Sequence, residues 1–133
     1  MGRVDGKIAV VTGGGVGIGQ ACSELLAREG AKVVITQRHE DKAMETVRKI
    51  RQAGGEAMYV KQDVTLEKDW VNLLNEVADA WGRADILVNN AGIYIIQDLA
   101  ETSLYQWHQL MDINAMGVFL GMKHTAPSMQ DKG

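Results

Sequence analysis

Val11-Thr12-Gly13-Gly14-Gly15-Val16-Gly17-Ile18-Gly19 is the stretch on which the fold turns. It lies between a short apolar run, Ile8 to Thr12, and a helical pattern. Gly13 permits a tight turn, Gly17 a close approach of backbone to a bound group, and Gly19 close packing of helix on strand. A helix N-terminus presents unpaired N–H groups and partial positive charge, so a turn placed there favours a phosphate. A loop that only needs positive φ would use the same glycines. The strand before and the helix after favour the phosphate reading. A nucleotide-hydrolysing loop fits poorly, because no Gly-Lys-Ser/Thr follows.

Outward from the turn, strand and helix patterns alternate. Ile18, Cys22, Leu25 and Leu26 recur at helical spacing, and Gly30 marks a stop. Lys32 to Thr36 reads as a second buried strand. Met44, Val47 and Ile50 give the next helical stripe, closed by Gly54-Gly55, and Ala57 to Lys61 reads as a third strand. Thr65 is the expected N-cap of a helix carrying Trp70, Leu73, Leu74, Val77 and Trp81, which Gly82 ends. Ile86-Leu87-Val88 is the fourth strand. Ser103 and Gln106 have capping-box spacing and open a last helix bearing Trp107, Leu110 and Met111, which Pro127 is expected to kink or end. Successive β-α units predict an α/β fold with a parallel sheet covered on both faces. This is a three-layer, Rossmann-like, doubly wound sheet in part, with strand order 3-2-1-4 from right-handed crossovers. The fourth strand is then an apolar edge that invites pairing. Residues 1–133 read as one dinucleotide-binding domain without repeat, linker or low-complexity segment.

Composition narrows the class. Apolar residues make up 46% and charged residues 23%, as in globular domains. A net charge of −3 weighs against a nucleic-acid partner. No apolar run approaches the roughly 20 residues that span a bilayer, so no membrane partner is expected. Met1 to Lys7 lacks the apolar core of a signal peptide. Cys22 is the single cysteine and reads as a small buried hydrophobe. Together these features predict a reducing, cytoplasmic setting. His39, His108 and His124 are too scattered to suggest a metal site, and the last two are expected to face solvent or an interface. Met111, Met116, Met122 and Met129 read as packing residues.

Four motifs then stand in order on these elements: Thr12-Gly13-x-x-x-Gly17-x-Gly19, Asp63-Val64 after the third strand, Asn89-Asn90-Ala91-Gly92 after the fourth, and Ile113-Asn114-Ala115-Met116-Gly117 on the last helix. In this order the chain resembles the short-chain dehydrogenase/reductase family over essentially its whole length. The resemblance implies that Thr12 and Asn89 hold the turn and the fourth strand. It implies cofactor contacts from Gly13, Gly15, Val16, Gly17, Ile18 and Gly19, from Gln37 and Arg38, from Asp63 and Val64, and from Asn90, Ala91 and Gly92. Asp63 would accept a hydrogen bond from the adenine amino group, Asn90 to Gly92 would run beside the ribose, and Ile93 to Ile96 would lie near the reacting ring or substrate. Read without the family, Asp63 caps the following helix and the asparagine pair is a turn.

Two further positions bear on chemistry. A dinucleotide fold that prefers NAD usually carries a carboxylate about 20 residues past the glycines. Here Gln37 stands in that place, and it does not repel a 2′-phosphate. Arg38 offers a planar charged fork for that phosphate, or a surface to stack on adenine. NADP is therefore expected over NAD, with Val16, Glu40 and Asp41 working against it. The family's proton comes from a tyrosine helped by a lysine four residues on. Tyr59, Tyr94 and Tyr105 are followed at that spacing by Asp63, Asp98 and Gln109. Only Asn114 of the family's catalytic set has a counterpart, and in the family it holds a water leading to the lysine. The resulting expectation is the cofactor-binding half of an NAD(P)-dependent oxidoreductase, cut before the catalytic strand and helix and self-associating as a homo-oligomer. It would move a hydride between nicotinamide and a small carbonyl/alcohol substrate. The alternative is a non-catalytic dinucleotide-binding or assembly module.

Overall fold

The structure, a computed structural model, describes residues 2–131, so the outermost positions of the domain expected over 1–133 lie outside it. Four strands form one parallel sheet: β1 (Ile8–Thr12), β2 (Lys32–Gln37), β3 (Glu56–Lys61) and β4 (Ile86–Val88), in the order β3-β2-β1-β4. The expected 3-2-1-4 order is thus the observed one. Among the described residues five α-helices accompany them: α1 (Gly17–Arg28), α2 (Glu40–Gln52), α3 (Glu67–Ala80), α4 (Leu104–Met111) and α5 (Gly117–Gln130).

The strands are apolar runs because both faces are covered. Successive side chains alternate between the faces. Val10, Val34 and Val60 meet Trp70, Leu73 and Val77 of α3 and Leu120 of α5. Ala9, Val11, Val33 and Ile35 meet Ala43, Val47 and Ile50 of α2, with Cys22, Leu26 and Ala27 of α1 packed beside them. α1 closes on Gly30 (φ +95°), whose N–H donates to Ala27 O while Ala31 N–H reaches back to Leu26 O. This is a Schellman ending, and α2 ends the same way at Gly54.

Several expectations need correction. Only part of the Ile18-Cys22-Leu25-Leu26 stripe lies on the packed face of α1: Cys22 and Leu26 pack on the core, and the other two do not. Ile18 is 78% exposed and Leu25 also faces solvent, whereas Gly19 and Ser23 are buried. Close packing of Gly19 on the turn sets the helix rotation, and hydropathy does not register it. Thr65 does not cap α3. The helix begins after Leu66 without a side-chain cap, because Thr65 turns its N–H and hydroxyl to the Asp63 carboxylate at 2.9 and 2.7 Å. Ser103 does cap α4, with Gln106 completing the capping box. The expected single last helix is interrupted by a π-helical segment, Asp112–Met116, between α4 and α5. Pro127 lies inside α5, which runs on to Gln130. Met111, Met116 and Met122 are exposed rather than packed. His124 is half-buried against Glu67 of α3, with Nε2 2.8 Å from the carboxylate.

Candidate functional site

The C-terminal ends of the four strands open into one cavity of about 970 Å³, the size range of small-molecule sites. Gly13 and Val16 line it from the turn. Thr36 to His39 with Asp41 and Lys42 line it after β2, Gln62 to Thr65 after β3, and Ala91 to Ile93 after β4. Tyr105, His108, Asp112 and Ile113 close the far side.

The turn is built to close tolerance. Gly13 sits at φ +63°, and its N–H donates to Thr36 O at 2.7 Å. Asn90 Nδ2 donates to Thr12 O at 3.0 Å and to Gly13 O at 3.2 Å. Thr12 Oγ1 accepts from the N–H groups of Asn90 and Ala91, both at 3.0 Å. One hydroxyl and one carboxamide thus tie the glycine turn to the end of β4. The asparagine making this tie is Asn90, not Asn89 as expected; Asn89 packs toward α5, where a Cβ on Gly121 would come 2.6 Å from its Oδ1. A Cβ on Gly19 would run into the Gly13 carbonyl and the Asn90 amide. No side chain caps α1, which leaves its first N–H groups for a bound anion.

The remaining turn residues divide. Gly15 is buried between β2 and α2, its N–H donating to Gln37 Oε1 at 3.2 Å and its carbonyl accepting the Thr46 hydroxyl at 3.1 Å. A Cβ there would come 2.7 Å from Ala43 Cα. Gly17 and Ile18 are exposed at the start of α1.

Gln37 is held at both ends of its amide, because Nε2 also donates to His39 O at 2.8 Å. Its backbone carbonyl accepts the Tyr59 hydroxyl at 2.9 Å. Burial, and then the charge of Glu40, push that phenol above its ordinary value. Arg38 and Lys42 bring two cations to this rim, with Asp41 beside them.

The β3 corner carries Asp63 and Val64. Asp63 Oδ1 takes two hydrogen bonds from Thr65, and its N–H donates to Asp69 Oδ2 at 2.9 Å. Val64 O accepts from Trp70 Nε1 at 2.9 Å, and the Val64 side chain packs on Gly117 of α5. Gln62, which the sequence reading did not single out, is buried on the cavity wall; its Oε1 accepts the Thr36 hydroxyl at 2.7 Å and its Nε2 has no partner.

Asn114 lies within the π-helical segment. Its Oδ1 accepts from Ile93 N–H at 2.8 Å and its Nδ2 donates to Ile93 O at 2.7 Å. Both ends of the amide are therefore spent on one residue of the chain after β4. π-helical turns often mark functional positions, but hydropathy does not reveal them.

These features fit a dinucleotide: an uncapped helix start, a glycine cradle that side chains would fill, and a carboxylate with a free oxygen. A cyclopentanol dehydrogenase of Comamonas sp. is 38% identical over 130 residues, covering 98% of this chain and 52% of the relative. An NADP-dependent (R)-specific alcohol dehydrogenase of Lentilactobacillus kefiri is 38% identical over 133 residues, with 98% and 52% covered. The chain thus spans about half the length of the curated relatives it matches. A short-chain type dehydrogenase/reductase from Mycobacterium marinum superposes with a TM-score of 0.93 at 32% identity, covering 97% of this chain and 52% of that one. A metagenomic short-chain oxidoreductase solved in complex with NADP gives 0.91 at 35% identity, with 97% and 59% covered. Residues 7–133 match the short chain dehydrogenase family, and the chain belongs to it.

Proposed function

We propose that these residues form the dinucleotide-binding half of an oxidoreductase that interconverts a carbonyl and an alcohol, and that NADP is the preferred cofactor. The observation that carries this reading is the meeting, in one cavity, of the α1 start, the Gln37–Arg38 rim and the Asp63–Val64 corner. The Gly13–Gly19 turn holds the pyrophosphate on backbone N–H groups. Asp63 takes the adenine amino group and Val64 packs beside the ring. Ala91 and Gly92 keep the path past β4 clear. Gln37 is neutral, and Arg38 with Lys42 meets the 2′-phosphate that a carboxylate would repel. The bound nicotinamide supplies hydride transfer. Asn114 is assigned a positioning role, holding Ile93 at a set distance from the π-helical segment. The alcohol dehydrogenase and NADP-bound relatives support this assignment.

Fluorescence titration of the purified chain tests the cofactor. NADPH is expected to bind tighter than NADH. Arg38→Ala should weaken NADPH about tenfold, roughly 1.4 kcal/mol, and NADH far less; equal losses would contradict the NADP assignment. The exposed apolar side chains of α4, Leu104, Tyr105 and Trp107, favour a second reading, a non-catalytic binding or assembly module. Under either reading this polypeptide binds NADPH without reducing ketones, and turnover by it alone would overturn the role given to the tyrosine and lysine.

A further inference from the structure

Tyr59 lies on the outer strand β3, in register with Ile35 of β2 and outside the cavity wall. Its ring packs on the apolar cluster that includes Val47 and Ile50 of α2. Phenylalanine would pack as well, so the hydroxyl needs its own account. It donates to the Gln37 carbonyl at 2.9 Å, where the Gln62 N–H already donates at 3.1 Å. Both lone pairs at the last residue of β2 are therefore filled. Burial, and then the charge of Glu40 at the start of α2, keep the phenol protonated and hence a donor. One residue on, Arg38 bends out of the sheet, exposed and without an ion pair among the described residues. Beyond it, the His39 carbonyl is held by Gln37 Nε2 at 2.8 Å. Arg38 is thus the apex of a closed turn. The residue before it is pinned by Tyr59, and the residue after it by the Gln37 side chain.

We propose that Tyr59 is a positioning residue for cofactor selection: its hydroxyl, with the Gln37 carboxamide, sets the Arg38 backbone before a ligand arrives, so that the guanidinium meets a ribose 2′-phosphate from an ordered turn. This inference rests on the NADP reading above. Tyr59 itself touches no part of the cofactor. A cation on a loose turn loses conformational freedom when it binds, and a turn already closed avoids that loss. Only a ligand carrying the 2′-phosphate gains from it. The effect therefore registers as a difference between NADPH and NADH, not as affinity for both.

The test is a double-mutant cycle of Tyr59→Phe and Arg38→Ala, read by titration with NADPH and with NADH. Tyr59→Phe is expected to weaken NADPH about fivefold, the scale of one pre-ordered side chain released, and to leave NADH nearly unchanged. In the Arg38→Ala background the same change should leave NADPH affinity nearly unchanged too, because the two residues act as one unit. A residue that only supports the strand would weaken both cofactors alike and keep its full effect without Arg38. Either of those results, or unchanged NADPH affinity in Tyr59→Phe, overturns the proposal. If Tyr59→Phe does not fold, the free wild type decides by NMR: the Arg38 amide should share the order parameter of the β2 amides, about 0.85, and a lower value overturns the proposal. A selective NADPH loss in Arg38→Ala beside an inert Tyr59→Phe removes this proposal alone. Equal losses of NADPH and NADH in Arg38→Ala remove the NADP reading and this proposal with it.

Discussion

The glycine turn and the limb from Tyr94 to Met111 are held together by different means. Around the turn, distant segments meet: Thr12 with Asn90, Gly13 with Thr36, Gly15 with Gln37 and Thr46. The side chains beneath are fully buried. The limb is ordered mainly by neighbours in sequence, such as the Ser103–Gln106 capping box and the Gln97–Gln106 bond at 2.7 Å. Most of its large apolar residues, including Leu99 at 91% exposed, Tyr105 and Trp107, face outward. The first region draws its stability from long-range burial, and the second from local hydrogen bonds. Regions of the second kind open at lower free energy. Under the proposed function, the cofactor would rest on the rigid side and the segment after β4 proposed to lie near a substrate on the softer one.

The comparison breaks most directly at Gly19. Helix propensity alone favours alanine there by about 1 kcal/mol. The added Cβ would enter the Gly13 carbonyl, so Gly19→Ala is expected to cost about 3 kcal/mol net, read as a lower urea midpoint and lost NADPH binding. A stabilised Gly19→Ala would show that the turn is not close-packed.

Asn90→Ala comes next. It removes two hydrogen bonds to the Thr12 and Gly13 carbonyls and should cost about 2 kcal/mol. Asn89→Ala should cost less, and the reverse ranking would restore Asn89 as the tie.

Trp107→Ser and Leu99→Ser should leave stability within about 0.5 kcal/mol, as surface changes do. A larger, concentration-dependent loss would sharpen the contrast differently, since the limb would then be covered by a second copy. The homo-oligomer expected from the sequence is tested by solution mass at two concentrations.

The smallest effect is expected at Glu67, which joins α3 to α5 through Lys123 at 2.6 Å and His124 at 2.8 Å. These hydrogen bonds, the Lys123 one foremost, hold its carboxyl below the ordinary glutamate value. Its stabilising contribution is present above the unfolded-state value and is lost as pH falls through the lower folded value. Glu67→Gln should lower the melting temperature slightly at neutral pH, and the difference should vanish on acidification.

The strands, their order and the helix count before Ser103 were legible because buried parallel strands read as apolar runs and glycines end the helices between them. Motif spacing pointed to Gly13, Asp63 and Asn114. Four features were hidden for one reason: close contacts between segments leave no periodic trace. The rotation of α1 follows Gly19 against Gly13 rather than the Ile18–Leu25 stripe. The Thr65 hydroxyl serves Asp63 rather than α3. Gln62 and the π-helical segment interrupt patterns that hydropathy reads as continuous.

The central claim is that the cavity above the turn is a cofactor site carried by the rigid region. Amide hydrogen exchange of the purified chain with and without NADPH tests it most directly. The account predicts added protection at residues 13–19, 37–38, 62–64 and 90–93, with little change over 99–111. Protection confined to the outer limb, or none at saturating NADPH, would contradict it.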